Sequence, residues 1–428
     1  MSASSSAATG SGRSGARRTR STRVDEWTAR FESPMTTYYL LLGIVGLLVG
    51  IGLVMVLSAS MIVSLKENDS SFTIFLKQFV FALAGGLALW WASRRSIAFW
   101  KRMAVPAVAA SIVLLLLVLT PLGFGFQGNR NWIGVGSLSI QPSEVAKIGL
   151  VLAGALVLER KRALLASIKH ALVPFVVPGM LLIVGLVMLG QDMGTAMVIC
   201  AIAVGMLFAA GVQLRWFALG GGVLALLGLL AANIGNNRMQ RIQIWLDPTQ
   251  CAPGSDLYYG ICRQSIHGRY ALADGGWFGV GLGASREKWG WLSEPYNDFI
   301  FAIIGEELGL IGTLTILALF AAFAVAGLRL VTRTDDFFVR VATAGICTWV
   351  LVQATINIGA VIGMLPVIGV PLPFVSSGGS SLVTAMLAVG ILLSFARSEP
   401  GCSEMIAAKP SRARALLARI PSRRTSSR

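Results

Sequence analysis

Charged residues are scarce in this 428-residue chain, at 13% of the total, and acids are scarcest, with 20 Asp and Glu against 36 Lys and Arg. Soluble domains carry about 25% charged residues, so half that fraction excludes an ordinary water-facing surface. Histidine occurs twice, at His170 and His267, and no Cys or His pair has zinc-ligand spacing. A G-x-x-x-x-G-K-[ST] loop is missing, which argues against ATP hydrolysis. The glycine run at Gly279, Gly281 and Gly283 has no strand–helix unit around it and is not a dinucleotide fingerprint.

What the chain has is apolar sequence. Hydrophobic residues make up 55% of it, the mean hydropathy is +0.72, and runs long enough to cross a bilayer recur along its length. The pattern predicts an all-α integral membrane protein with about ten transmembrane helices. Spans are expected near 38–62, 74–93, 103–123, 145–158, 171–190, 194–212, 216–233, 299–328, 338–363 and 380–396. Gly46 and Gly50 give a G-x-x-x-G spacing in the first span, which usually marks close helix packing. The first run is too long for a signal-peptide core, so no cleavage is expected.

The basic residues set the orientation. Arg94, Arg95, Lys101, Arg102, Arg160, Lys161, Arg162, Lys169, Arg329 and Arg333 fall on one side if there are ten spans, together with both tails. By the positive-inside rule that side is the cytoplasm. The expected organisation is a basic disordered tail at 1–36, a membrane domain at 37–397 and a second basic tail at 398–428. That second tail either lies on anionic lipid as an amphipathic segment or is simply solvated. The formal charge of +16 does not imply nucleic acid, because neither tail can build a folded basic face.

A long external segment, 234–297, joins the seventh and eighth spans. Its cations Arg238, Arg241, Arg263, Arg286 and Lys288, with Arg130 in an earlier external loop, run against the inside bias. Together they suit a phosphate-bearing headgroup, although any one of them alone reads as loop solubility. Cys251 and Cys262, with ten residues between them, both lie in this segment and are expected to form a disulfide, while Cys200, Cys347 and Cys402 lack an oxidising setting.

Ionisable residues also occur at membrane depth. Glu144 and Lys147 share a helix face, either as a cavity-facing pair or as a structural one with Ser143 capping the helix. Asp192 stands at the break between the fifth and sixth spans, and Glu306 and Glu307 lie inside the eighth. Asp298 stands where the external segment enters that span. It reads either as an N-cap or as a carboxylate placed to take a proton from a sugar hydroxyl.

Four blocks then carry a resemblance over about Tyr38 to Arg397. They are Gly128-Asn129-Arg130-Asn131-Trp132-Ile133 with Gln141-Pro142-Ser143-Glu144 and Lys147; Asn237-Arg238, Arg241-Ile242 and Asp247-Pro248; Asn297-Asp298-Phe299-Ile300-Phe301 into Gly305-Glu306-Glu307-Leu308-Gly309; and Pro371-Leu372-Pro373-Phe374 leading to Gly378-Gly379-Ser380-Ser381. In that order they resemble the shape, elongation, division and sporulation family of cell-wall glycan polymerases. Ile304 to Gly309 is closer to the division branch than to the elongation branch, and Ala271 to Gly276 is similar to actinobacterial members. Departures fall at Gly190-Gln191, at Ser293 to Asn297, where the family's histidine is lost, and at His267, where the family carries a second Gln.

The resemblance implies a peptidoglycan glycosyltransferase at the outer face of the plasma membrane, at the division septum, with lipid II as donor and acceptor. It implies Asp298 as general base and an anionic pyrophosphate leaving group. Arg130, Lys147, Arg238 and Arg241 are the candidates to meet that charge, with a divalent cation such as Mg or Mn as an optional helper and no metal-ligand residues identified. Trp132, Glu144, Asp192, Gln264, Lys288, Ser377 and Ser380 are further candidate substrate contacts. The implied partners are a class B penicillin-binding transpeptidase, other divisome membrane proteins and membrane lipids. A lipid flippase and a division scaffold are the rival classes, and neither requires Asp298.

Overall fold

A computed structural model of the chain describes residues 35–126, 129–135, 138–165, 167–173, 175–218, 220–222, 236–252 and 254–399. All but two residues of each expected tail, and most of the span expected at 216–233, lie outside these residues. Eleven main helices organise the rest: α1 (Met35–Asn68), α2 (Thr73–Ser93), α3 (Ile97–Val118), α4 (Pro142–Arg160), α5 (Leu181–Leu189), α6 (Met193–Ala209), α7 (Asn236–Leu246), α8 (Cys262–Asp274), α9 (Ile300–Arg333), α10 (Phe337–Val361) and α11 (Ser380–Ala396). Among them α1, α2, α3, α9 and α10 are long and apolar enough to cross a membrane, while α6, α11 and the stretch Phe175–Leu189 are shorter apolar helices.

α4 and α10 form the centre, buried over most of their lengths, with α6, α9 and α11 around them. α2 rests on α11, and α1 on α9. Many side chains of α1 to α3 point outward and are apolar, among them Leu47, Leu83, Leu87 and Val105, as expected of helices that face lipid. The glycines of α1 depart from expectation. A Cβ at Gly46 or Gly50 would meet nothing within 4 Å, so their spacing does not mark packing against the described residues. Gly52 packs instead, where a Cβ would lie 2.7 Å from Val375 Cα.

The helix ends sort into two rims. At the tail rim Lys101 of α3 bridges Glu159 of α4 at 2.7 Å and Asp336 before α10 at 3.0 Å, and Asp336 also caps α10 through the Val339 N–H. At the opposite, loop-rich rim the chain forms a small antiparallel sheet, β1 (Gly123–Phe126), β2 (Asn129–Val135) and β3 (Leu138–Ile140), which the sequence reading did not foresee. The long connection carries α7 and α8. They share a satellite core of Ile244, Cys262 and Ile266, clamped by the Cys251–Cys262 disulfide expected of two cysteines in this segment.

α9 is interrupted. Gly309 takes φ +66, ψ −160, which opens the helical ladder. The orphaned groups are satisfied by the glycine-rich strand of chain beside it. Val280 and Gly281 N–H donate to the Glu306 and Glu307 carbonyls at 2.9 and 3.1 Å, and Leu310 N–H donates to Gly276 O at 2.9 Å. This close approach explains the glycines: a Cβ on Gly279 would lie 2.2 Å from Glu307 O. A Cβ on Gly309 would meet Gly279 N at 2.4 Å from a backbone conformation that side chains resist. Gly309→Ala should therefore cost about 1–3 kcal/mol or more, read as a lowered thermal midpoint of the purified protein. An unchanged midpoint would contradict the interrupted helix.

Candidate active site

The loop-rich rim holds the polar residues that the sequence singled out, and two buried ion pairs hold up its floor. In the first, Lys147 Nζ lies 2.7 Å from Glu144 Oε1, with both side chains almost wholly buried. Lys147 also donates to Gln353 Oε1 at 3.0 Å and lies 4.4 Å from the Trp349 ring centroid. Trp349 Nε1 donates to the same Gln353 oxygen at 2.8 Å, and Gln353 Nε2 donates to Pro371 O at 3.0 Å. Thr384 Oγ1 of α11 donates to Glu144 Oε2 at 3.3 Å. One pair thus ties α4, α10 and α11 to the proline-rich segment 371–376. A small cavity beside it is lined by Glu144, Trp349, Gln353, Pro371, Ser376 and Ser381.

In the second, Lys288 Nζ lies 2.8 Å from Glu307 Oε1, and Ser58 of α1 donates to the same carboxylate at 2.7 Å. Glu306 accepts from Ser285 Oγ and from the Arg286 N–H at 2.6 Å. The two adjacent glutamates of α9 therefore grip the loop at 285–288, ten residues before Asp298.

Asp298 sits between these supports. It does not cap α9, whose N-cap is Phe299 with no side-chain capping bond, so the N-cap alternative is corrected. Its backbone is fixed instead: Asn357 Nδ2 donates to Asp298 O at 2.7 Å and to Val370 O at 2.8 Å, and Ser376 Oγ donates to Asn297 O at 2.7 Å. Gly369, at φ +77, passes so close that a Cβ there would lie 3.3 Å from Asp298 Oδ2. Among the described residues none hydrogen-bonds the half-buried carboxylate. Burial first, and the Glu294 charge second, push it up to about 7, against the lowering pull of Arg241. Arg241 Nη1 in turn donates to Val367 O at 3.2 Å, which anchors α7 beside the 367–370 strand of chain.

The other candidates fall into place around this centre. Arg130 folds back onto its own hairpin, donating to Gly123 O at 3.1 Å and to Thr120 O. Lys147 and Lys288, expected to face an anion, are buried and neutralised by Glu144 and Glu307, because a cation in an apolar bundle needs its counter-charge in contact. Asp192 is the N-cap of α6, taking the Thr195 N–H at 3.0 Å, and also accepts from Asn131 at 3.1 Å and Gln141 at 2.9 Å. Ser143 does not cap α4: Gln141 holds that position, and Ser143 Oγ is buried without a hydrogen-bond partner among the described residues. Ser380 Oγ accepts from Gln141 N–H at 3.1 Å, Ser377 N–H donates to Tyr296 O at 2.9 Å, and Trp132 and Gln264 are half-buried. The Arg238 side chain lies outside the described residues. No group of three metal-ligand side chains occurs among the described residues.

Sequence reasoning missed Trp349, Gln353 and Asn357. Their spacing of four along an apolar span puts them on one helix face, and that was the signal available.

Residues 38–400 match a family described as cell cycle protein, the group of FtsW, RodA and SpoVE. The probable peptidoglycan glycosyltransferase FtsW of Mycobacterium tuberculosis is 39% identical over 380 residues, which cover 89% of this chain and 71% of that protein. Stage V sporulation protein E of Bacillus subtilis is 37% identical over 355 residues, 82% of this chain and 94% of that one. A solved chain from a peptidoglycan synthase complex that coordinates polymerization and crosslinking is similar at a TM-score of 0.67 and 26% identity, covering 84% of this chain and 98% of its own. The Rod shape determining protein RodA of Thermus thermophilus is similar at 0.62 and 25%, covering 84% and 96%.

Two stability effects follow from the site. Glu144→Ala and Lys147→Ala each leave a buried charge uncompensated and should cost about 3–5 kcal/mol, with partial recovery of the thermal midpoint in the charge-swapped double variant. If the swap recovers nothing, the pair is not the source of the loss. Asp298 behaves oppositely. Because the folded chain holds its proton more tightly than the unfolded chain, stability is lost as pH climbs from the usual aspartate range to about 7. Asp298→Asn should thus be more stable than wild type at pH 8 and no more stable near pH 4.

Proposed function

The chain belongs to the cell cycle protein family of FtsW, RodA and SpoVE, and we propose that it polymerises lipid II into glycan strands at the outer face of the plasma membrane during cell division. The observation that carries this reading is Asp298, a half-buried carboxylate held by its backbone, pushed up to about 7 and left free of hydrogen bonds among the described residues. A general base works best when its pKa lies near the working pH, since it is then both substantially ionised and strong enough to accept a proton.

In the proposed reaction Asp298 takes the proton from the 4-hydroxyl of the acceptor GlcNAc. That oxygen attacks C1 of the donor MurNAc from the face opposite the pyrophosphate, and the C1–O bond breaks with inversion. The electron pair leaves on undecaprenyl pyrophosphate, which is already an anion and needs no second carboxylic acid. Arg241 is the described cation best placed for the developing charge, with Arg238 of the same helix as its companion and a divalent cation as an optional helper. The ion pairs Glu144–Lys147 and Glu307–Lys288 position the segments that carry Asp298 and Pro371.

In this reading the chain spans the membrane ten times with both tails in the cytoplasm, so that the loop-rich rim faces outward. Its working partner is a class B transpeptidase that crosslinks the strands, within the division machinery at the septum. The solved relative from a synthase complex that couples polymerization to crosslinking supports such a pairing.

The test is glycan-strand formation from labelled lipid II by purified wild type and Asp298→Asn. Asn keeps size and polarity but cannot take the proton, so the rate should fall by about 10²–10⁴-fold in a protein of undiminished thermal stability. Near-normal strand formation by the folded variant would contradict the proposed base.

A further inference from the structure

The tail rim carries an arginine pair to which the proposed reaction gives no role. Along α2 the residues Leu76, Val80, Leu83, Leu87 and Trp90 recur at helical spacing and are all exposed, between 52% and 68%. The stripe ends in Arg94, whose guanidinium carbon stacks 4.0 Å from the Trp90 ring centroid. Arg95 beside it stacks 4.4 Å from Trp91 and 5.5 Å from Phe99 of α3. Both arginines are exposed, and neither joins any ion pair among the described residues. The neighbouring acids Glu159 and Asp336 are already held by Lys101. A third guanidinium approaches the same turn, since Arg397 Nη1 donates to Ser93 O at 3.2 Å.

We propose that the turn between α2 and α3 binds the phosphate of an anionic phospholipid in the adjoining leaflet, with its acyl chains lying along the α2 stripe. Stacking on indole rings holds each guanidinium at the turn and limits the rotamer freedom that a lone surface arginine would lose on binding. The apolar stripe supplies a tail-length contact that a soluble phosphate could not use. Cation and stripe at one end of α2 together match an amphiphile with an anionic head, and the absence of a carboxylate partner among the described residues leaves the positive charge open to such a head.

Native mass spectrometry of the full chain in neutral detergent, titrated with phosphatidylglycerol or phosphatidylcholine, tests the site. Wild type should bind the first phosphatidylglycerol on the order of tenfold more tightly than phosphatidylcholine. Arg94→Gln with Arg95→Gln should abolish that preference, and Arg94→Lys with Arg95→Lys should keep part of it. Arg102→Gln, an exposed arginine on the same rim, should leave it unchanged. The proposal is overturned if wild type does not discriminate the two lipids, if the double Gln variant keeps the preference, or if Arg102→Gln loses as much. Equal lipid binding by wild type and variant, with a co-purifying protein lost only from the variant, would overturn it in favour of a protein partner. Should the double variant fail a thermal-stability check, Arg94→Gln alone reads the same difference.

Discussion

A charge taken into an apolar bundle must bring its counter-charge with it, and this constraint organises the loop-rich half of the molecule. Glu144 with Lys147, and Glu307 with Lys288, are each in contact at under 3 Å and each further bonded by neutral groups from other helices. Because removing either member strands the other, the pairs fix where α4, α9, α10 and α11 stand relative to the segments at 285–298 and 367–376. The interrupted turn of α9 obeys the same rule for backbone groups. Its freed carbonyls and N–H are taken by the glycine-rich chain at 276–281, so the break persists without exposing polar backbone to lipid.

Asp298 is the exception that these supports make tenable. It lies within the field of Glu294 and close to Gly369, and its backbone rather than its carboxylate is hydrogen-bonded. A carboxylate so placed is costly to ionise, and the rigid surroundings hold it there. That combination, a destabilised group on an over-determined backbone, is what a base near neutral pH requires, and it accounts for the opposite stability effects expected at Asp298 and at the Glu144–Lys147 pair.

Much of this was legible in the sequence because the bilayer simplifies the code. Hydropathy gave the described apolar helices, and Glu144 with Lys147 announced a pair by their spacing. Cys251 and Cys262 were readable from compartment alone. What was not legible is how cations are shared out. Lys288 and Arg241 look alike as basic residues of one external segment, yet one is buried against Glu307 and the other stands beside Asp298. That difference arises from long-range packing of the 285–288 loop onto α1 and α9, which no local pattern encodes. The sheet at 123–140 was missed for a similar reason, since its strands are short and read as loop. Gly46 and Gly50 misled because spacing cannot say whether a small-residue face meets this chain or something else.

The central claim is that Asp298 accepts a proton in the chemical step, and the pH dependence of that step tests it most directly. Under single-turnover conditions with labelled lipid II, the rate should rise about tenfold per pH unit on the acid side and level off above a midpoint near 7, where the carboxylate is ionised. A rate that is flat from pH 5.5 to 8.5, or an acid limb centred in the ordinary aspartate range near 4, would contradict the account.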